Sequence, residues 1–235
     1  MNAKINLELF KTTTFDSGAL GMLAMSLHQF QSPGAYHVSI KRMGRETGEA
    51  SFVVDEKSEA MQLDIDLAQR GQPASHQPAD CDCKKSASGA QTLSPNGYAL
   101  FHASSGDGYS AVVTNADGKV VFDTAKLGEG DLFAVSLLEP GAYTLANTPG
   151  GAKGEIVVSL PPQVRGRRLR DLETLNILAS PKKFDRPKIE ALSAQGLVFK
   201  VTGERTRIQI QKKAERGVAR QARPIKPAVR WQKPE

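Results

Sequence analysis

The tetrapeptide Pro33-Gly34-Ala35-Tyr36 recurs in this chain as Pro140-Gly141-Ala142-Tyr143. Four identical residues can arise by chance, but agreement on both flanks argues against it. The flanking stretches that resemble each other are residues 23–26 with 133–136, and residues 48–54 with 154–158. Because the similarity spans the whole neighbourhood of the tetrapeptide, we predict two related structural units.

Short apolar runs separated by Gly and Pro turns predict β-strands in both units. In the first unit they cover residues 5–10, 21–30, 36–42, 50–54 and 61–67. In the second they cover residues 97–103, 109–114, 119–124, 132–138, a strand from 143, and 155–160. Residues 61–67 alternate strictly between apolar and polar, so one face of that strand should contact water. Strands spaced this closely, with little helix between them, are typical of sandwiches.

Residues 138–143, Leu-Glu-Pro-Gly-Ala-Tyr, resemble the tyrosine corner of immunoglobulin-like and fibronectin-type sandwiches. In that motif a Tyr hydroxyl bonds back to the backbone near the corner. Tyr36 stands in the same setting, although Gln31 takes the place of the Leu. The resemblance implies a mainly β fold with two tandem immunoglobulin-like β-sandwich units, in which Tyr36 and Tyr143 are structural. It implies no function, because this architecture hosts many.

Charge is divided unevenly along the 235 residues. Residues 1–163 hold 12 Lys and Arg against 18 Asp and Glu, whereas residues 164–235 hold 19 against 7. An acidic body followed by a strongly basic last third indicates an anionic partner, or a tail that folds back on its own body. Within the basic part, Leu169, Leu172, Leu175 and Leu178 recur every three residues and predict a short amphipathic helix ended by Pro181.

From residue 212 onward the chain is basic and interrupted by proline, which predicts an extended basic C-terminal arm. The only Trp of the chain lies there, beside an Arg. We expect the arm to become ordered on a partner, and the alternative is an unstructured basic terminus. The residues expected to contact the partner are Arg216, Arg220, Arg223, Lys226, Arg230 and Trp231.

Residues 71–95 have the composition of a linker, and they contain both cysteines of the chain. Cys81 and Cys83, with His76 as a third ligand, are candidates for binding Zn or Cu(I). The alternative is a solvated loop with reduced thiols, because a single Cys-x-Cys lacks the second ligand pair of a convincing zinc site. We predict no other cofactor.

The predicted domain order follows from these features. It is residues 1–70 as the first sandwich unit, 71–95 as linker, 96–163 as the second unit, 164–186 as the basic segment with the helix, 187–211 as additional strands, and 212–235 as the tail. The additional strands, at residues 188–192, 197–201 and 207–210, either extend the second sheet or form a third unit.

Catalytic signatures are missing from the sequence. No Gly-x-Ser-x-Gly, P-loop or Gly-x-Gly-x-x-Gly before a helix occurs, and His28, His37 and His102 are predicted to line strand faces. We therefore expect no catalytic activity of its own and no small-molecule substrate, with membership of an enzyme complex as an open alternative. The leading interpretation is a non-catalytic accessory or structural subunit that docks on a larger protein assembly through its sandwich surfaces and basic arm. The alternatives are a nucleic-acid-binding protein that uses the basic last third, and a metal-handling protein that uses the Cys-Asp-Cys loop.

No run of about 18 apolar residues occurs, so no transmembrane helix is expected. Glu8 and Lys11 lie where a signal peptide would need an apolar stretch. We therefore expect a cytoplasmic protein.

Overall fold

The computed structural model describes residues 7–70, 91–161 and 172–214, and this part of the chain is mainly β. Its strands are β1 Thr14–Asp16, β2 Ala24–Phe30, β3 Gly34–Arg42, β4 Arg45–Val54, β5 Gln62–Asp66, β6 Gln91–Leu93, β7 Gly97–His102, β8 Tyr109–Asn115, β9 Val120–Asp123, β10 Leu132–Ser136, β11 Gly141–Asn147, β12 Lys153–Ser159, β13 Leu175–Ala179, β14 Lys188–Leu192, β15 Gly196–Val201 and β16 Ile208–Lys212. The helices of these residues are a 3-10 helix at Leu7–Lys11 and the α-helix α1 at Leu67–Arg70. None of the described helices is long and apolar enough to cross a bilayer.

The strands form one six-stranded and two five-stranded sheets. The six-stranded sheet has the order β13-β15-β10-β2-β7-β5, and the five-stranded sheets have the orders β6-β4-β3-β8-β9 and β14-β12-β11-β16-β1. Their inner faces meet in one apolar core. Ring contacts of Phe30 with Phe52 and of Phe101 with Phe122, at 5.0 Å between centroids in each case, join the six-stranded sheet to the sheet that contains β4 and β9.

The two halves of this arrangement have the same strand order. From the centre of the six-stranded sheet outward, β2-β7-β5 on one side corresponds to β10-β15-β13 on the other. The two central strands are antiparallel, and Ser26 of β2 pairs with Phe133 of β10. Phe133 precedes Pro140 by the same number of residues as Ser26 precedes Pro33. An approximate two-fold axis therefore passes between β2 and β10 at this pair.

Both Pro-Gly corners contain a tyrosine that bonds back to the backbone. The Tyr36 hydroxyl donates to the Ser32 carbonyl at 2.7 Å, and the Tyr143 hydroxyl donates to the Glu139 carbonyl at 2.6 Å. Gly34 and Gly141, which directly follow the prolines of the two corners, have φ values of 147° and 140°, which side-chain-bearing residues rarely adopt. The repeated sequence thus builds the same corner twice.

The predicted helix around residues 169–178 is wrong for its described part. Residues 172–174 are irregular and β13 is a strand parallel to β15. Burial in β13 has a period of two, since Ile177 and Ala179 are buried while Leu178 is 48% exposed. The leucine spacing suggested a helical stripe, but the strand turns Leu175, Ile177 and Ala179 toward the core and Leu178 away from it.

The predicted strand at residues 5–10 is also wrong in its described part, because residues 7–11 form the 3-10 helix. Phe10 is 51% exposed there, so this segment does not bury the apolar face that a core strand needs.

Strand pairing also differs from the predicted division at residue 96. β7 pairs with β2 and β8 pairs with β3, so residues 97–123 lie with the strands of the first half. β14, β15 and β16 pair with β12, β10 and β11, and they therefore join the second half rather than a third unit. Local turn signals cannot predict these pairings, because these strands pair with strands that are distant in the sequence.

Candidate functional site

The residues predicted to bind metal and partner lie outside the described part of the chain. His76, Cys81 and Cys83 fall in residues 71–90, and the predicted contacts of the basic arm, Arg216 to Trp231, fall beyond residue 214. Within residues 7–70, 91–161 and 172–214, no group of three or more His, Cys, Asp or Glu side chains is placed to hold a metal ion. The candidate surfaces among the described residues lie on the sheets.

One face of the six-stranded sheet points away from the core, and we call it the outer face. It carries two rows of side chains. Alternation along each strand assigns its residues, because Phe101, Phe133 and Phe199 are buried on the opposite side. In strand order, the first row is Leu178, Lys200, Leu132, Leu27, Leu100 and Asp64. The second row is Asn176, Val198, Ala134, Met25, His102 and Asp66.

The centre of the outer face is apolar. Leu27 of β2 lies directly beside Leu132 of β10 on one side and Leu100 of β7 on the other. These three side chains are only partly buried, and Leu178 at the β13 edge is exposed. A solvated sheet face normally carries polar residues, whereas a contiguous apolar patch marks an interaction surface. The centre of the outer face is therefore less polar than a solvated sheet face normally is.

Charged groups border the outer face at the β5 edge. The His102 Nε2 lies 2.8 Å from Asp64 Oδ1, and Asp64 is 61% exposed. Asp66 Oδ1 accepts hydrogen bonds from the backbone N–H groups of Ala68 and Ser104 at 3.0 and 3.1 Å. Burial by itself would raise the pKa of Asp66, but the hydrogen bonds from Ser104 and Ala68 and the charge of His102 lower it overall. This carboxylate is therefore held in its negative form.

A second polar site lies on the inner side of the same sheet. His28 Nδ1 lies 2.6 Å from Asp131 Oδ1, and Asp131 is only 3% exposed. The other carboxylate oxygen of Asp131 accepts the Gly128 N–H at 2.6 Å. The imidazole packs against Phe30 and Phe122, with centroids 4.6 and 5.0 Å away. Asp131 thus fixes the orientation of a histidine at the junction of the two halves.

His28 and Asp131 border a cavity of about 340 Å³ whose lining also includes Tyr36, Glu129 and Phe30. Asp131 contacts the ring at Nδ1, so Nε2 is the ring nitrogen that this carboxylate does not engage. Among the described residues the recorded side-chain partner of this ring is Asp131, so the pair lacks the nucleophile of a hydrolytic triad. The geometry fits a structural role at the junction.

The approximate symmetry shows how the sequence could have revealed this pair. Aligned on their Pro-Gly-Ala-Tyr corners, which corrects the match of residues 23–26 with 133–136 by three positions, the repeats place His28 opposite Val135 and Asp131 opposite Ala24, and both of those residues are buried and apolar. The pair therefore replaces two core residues of the repeat by two ionisable groups that contact each other. The local sequence predicts only that His28 lines a strand face, because its partner is more than a hundred positions away in the sequence.

No protein-family model, curated protein or solved structure matches this chain.

Proposed function

We propose that the protein is a non-catalytic accessory or structural subunit that docks on a larger protein assembly. The observation that carries this proposal is the apolar centre of the outer face, formed by Leu27, Leu132 and Leu100 on three neighbouring strands. Burying such a surface against a partner lowers the free energy by roughly 25 cal/mol for each Å² of apolar area that leaves water. A face of this composition is better suited to a partner than to permanent solvation.

We further propose that the two halves are tandem immunoglobulin-like sandwich units that share the six-stranded sheet. The corresponding strand orders and the two tyrosine hydroxyl bonds support this interpretation. Sharing a sheet makes the outer face twice as wide as one unit would provide. The docking surface is then a property of the pair of units.

The basic C-terminal arm is proposed to add a second contact. Its predicted contacts, Arg216, Arg220, Arg223, Lys226, Arg230 and Trp231, combine positive charge with one large aromatic side chain. Arg and Trp are frequent among the residues that dominate interface energies. The arm would grip an acidic surface of the same assembly while the outer face is covered.

The test is affinity capture from the native source with the tagged full-length chain. Leu27→Asp and Leu178→Asp place a charge on the outer face, and a truncation after residue 214 removes the arm. The matched controls are Val120→Asp and Leu160→Asp, since these side chains are 53% and 69% exposed elsewhere on the molecule. We expect a stoichiometric partner that is retained by both controls and lost by the outer-face variants.

Thermal unfolding of each variant shows whether the fold survives the added charge. A partner that the folded outer-face variants still retain in full contradicts docking through this surface. Capture of nucleic acid instead of protein, with an affinity that falls steeply as salt is raised, would favour the nucleic-acid alternative.

A further inference from the structure

We infer that the partner covering the outer face is a second copy of this chain, packed face to face about a two-fold axis parallel to β2 and β10. This inference rests on the docking function proposed above and makes a second copy the member of the assembly that covers the outer face. It follows from where the charges lie in the first row of the outer face.

Lys200 and Asp64 stand at opposite sides of that row. Lys200 is on β15 and Asp64 is on β5, with β10, β2 and β7 between them. Four strand spacings separate them, about 19 Å, so they cannot pair within one chain. Lys200 is exposed and makes no ion pair among the described residues. One chain therefore presents a free cation on one side of the apolar centre and a mainly exposed carboxylate on the other.

A two-fold axis parallel to the strands brings these charges together. The rotation exchanges the two sides of the sheet, so β15 of one copy lies over β7 of the other, next to β5. The long Lys200 side chain then reaches Asp64 of the partner subunit one strand away, and the pair forms twice in the dimer. A two-fold axis across the strands would instead place β5 over the partner's β5 and bring the Asp64 and Asp66 carboxylates of the two copies together, which like-charge repulsion opposes.

The same rotation makes the apolar centre complementary to itself. With the axis between β2 and β10, Leu27 lies over the partner's Leu132, and Met25 lies over the partner's Ala134. Two sheets pack in this way with their strands nearly aligned and about 10 Å between the sheets. The central contacts of such an interface are thus aliphatic on both sides, and charge lies toward the edges, as in known interfaces.

The area is sufficient for a weak but specific dimer. Six strands at about 4.8 Å and five residues at about 3.4 Å give a face of about 29 by 17 Å. That is about 490 Å² for each copy and about 1,000 Å² for both, which is below the roughly 1,200–2,000 Å² of stable interfaces and in the range of weak, transient ones. We therefore expect dissociation in the micromolar range.

Sedimentation equilibrium of the full chain, from about 1 to 200 μM, tests the inference. Lys200→Glu and Asp64→Lys should each weaken dimerisation about tenfold or more, because each places like charges together twice. The double variant Lys200→Glu/Asp64→Lys should restore the wild-type dissociation constant to within about threefold. The two positions are too far apart to pair within a chain, so this recovery requires contact between copies. Lys57→Glu, an equal charge reversal at an exposed turn, is the control and should leave dimerisation unchanged.

A chain that stays monomeric throughout this range overturns the inference, as does a double variant no better than the single ones. A wild-type monomer that dimerises only after removal of residues 215–235 shows that the chain's own arm covers the face, and it also overturns the inference. If the chain is monomeric while the outer-face variants still lose a captured protein, the docking function stands and only the second copy is wrong.

Discussion

Asp131 is a buried carboxylate whose two oxygens are both occupied, by His28 and by the Gly128 N–H. Asp131→Ala removes both contacts and leaves the partly buried Gly128 N–H and His28 ring without this acceptor. Leaving a buried polar group unpaired costs about 1–3 kcal/mol, and water can reach both groups in part, so we expect the free energy of unfolding to fall by about 2 kcal/mol. Urea unfolding at constant pH measures this loss.

The approximate symmetry supplies a matched second variant. His28→Val/Asp131→Ala copies the apolar residues Val135 and Ala24 from the equivalent positions of the other repeat. Replacing a buried ionisable pair by apolar residues is often neutral, so the double variant should recover most of the lost stability. A double variant that is less stable than Asp131→Ala alone would show that His28 and Asp131 stabilise the fold by more than bonding to each other.

Tyr143 links stability to alkaline pH. Burial, followed by the charge of Glu139, raises the pKa of Tyr143 to about 12 from its ordinary value of 10.0. The unfolded chain then loses the phenol proton more readily than the folded one, so stability falls as pH rises from about 10 through 12. Below pH 10 this group contributes no pH dependence, because the phenol is protonated in both states.

Tyr143→Phe tests both properties of the corner. At pH 8 we expect a loss of about 1 kcal/mol from the missing hydrogen bond to the Glu139 carbonyl. Between pH 8 and pH 11 the variant should lose less stability than the wild type, as measured by urea midpoints. Equal losses for the two proteins would contradict the assigned pKa.

At the scale of elements, β1 is a short strand from the start of the chain that completes a sheet of the second half through β16. The Arg207 guanidinium holds it by donating to both oxygens of Asp16, at 2.8 and 2.9 Å. Arg207→Lys replaces this planar fork by a single ammonium group. We expect the Ser17 amide, which donates to the Ile208 carbonyl at 3.0 Å, to exchange hydrogen about tenfold faster.

Arg205→Lys is the control for that measurement, because Arg205 is exposed and makes no ion pair among the described residues. Amides of β11, on the other side of β16, should keep their protection in both variants. If they exchange faster as well, Arg207 stabilises the whole sheet rather than β1.

The elements that sequence alone predicted best are those with a clear period. β5 was expected to alternate, and its residues alternate between exposed and buried as Asp64 and Ile65 do. β13 was misread because its leucines suit a helix as well as a strand, and its neighbour β15 lies beyond an intervening strand of another sheet. Propensity cannot decide between the two structures when a distant strand supplies the partner.

The outer face was not predicted from sequence for a related reason. Residues 24–27, Ala-Met-Ser-Leu, and 132–135, Leu-Phe-Ala-Val, are mostly apolar at both odd and even positions. A strand that is apolar on both sides gives no period-two signal, so its solvent face cannot be assigned without the sheet. The tyrosine corners, in contrast, follow from a local turn and needed no distant partner.

At the scale of the whole molecule, the sharing of one sheet predicts that the two halves unfold together. β2 and β10 pair across the centre, β1 reaches from the start of the chain to β16, and Leu127 and Thr206 form a bridge between the halves. Separating the halves would expose the edges of two central strands and the buried Asp131. Independent domains joined by a linker would show two transitions, whereas this arrangement should show one.

Phe52→Ala tests this cooperativity from inside the first half. Phe52 is 1% exposed, stacks on Tyr36 and meets the Phe30 ring edge-on, so its truncation should cost about 3–5 kcal/mol and lower the melting temperature by about 6–20 °C. Because the central sheet is continuous, the amide of Leu145 in the second half should lose protection by the same free energy, measured by native-state hydrogen exchange. A Leu145 amide that stays as protected as in the wild type, while β3 and β4 open, would show that the shared sheet does not couple the halves.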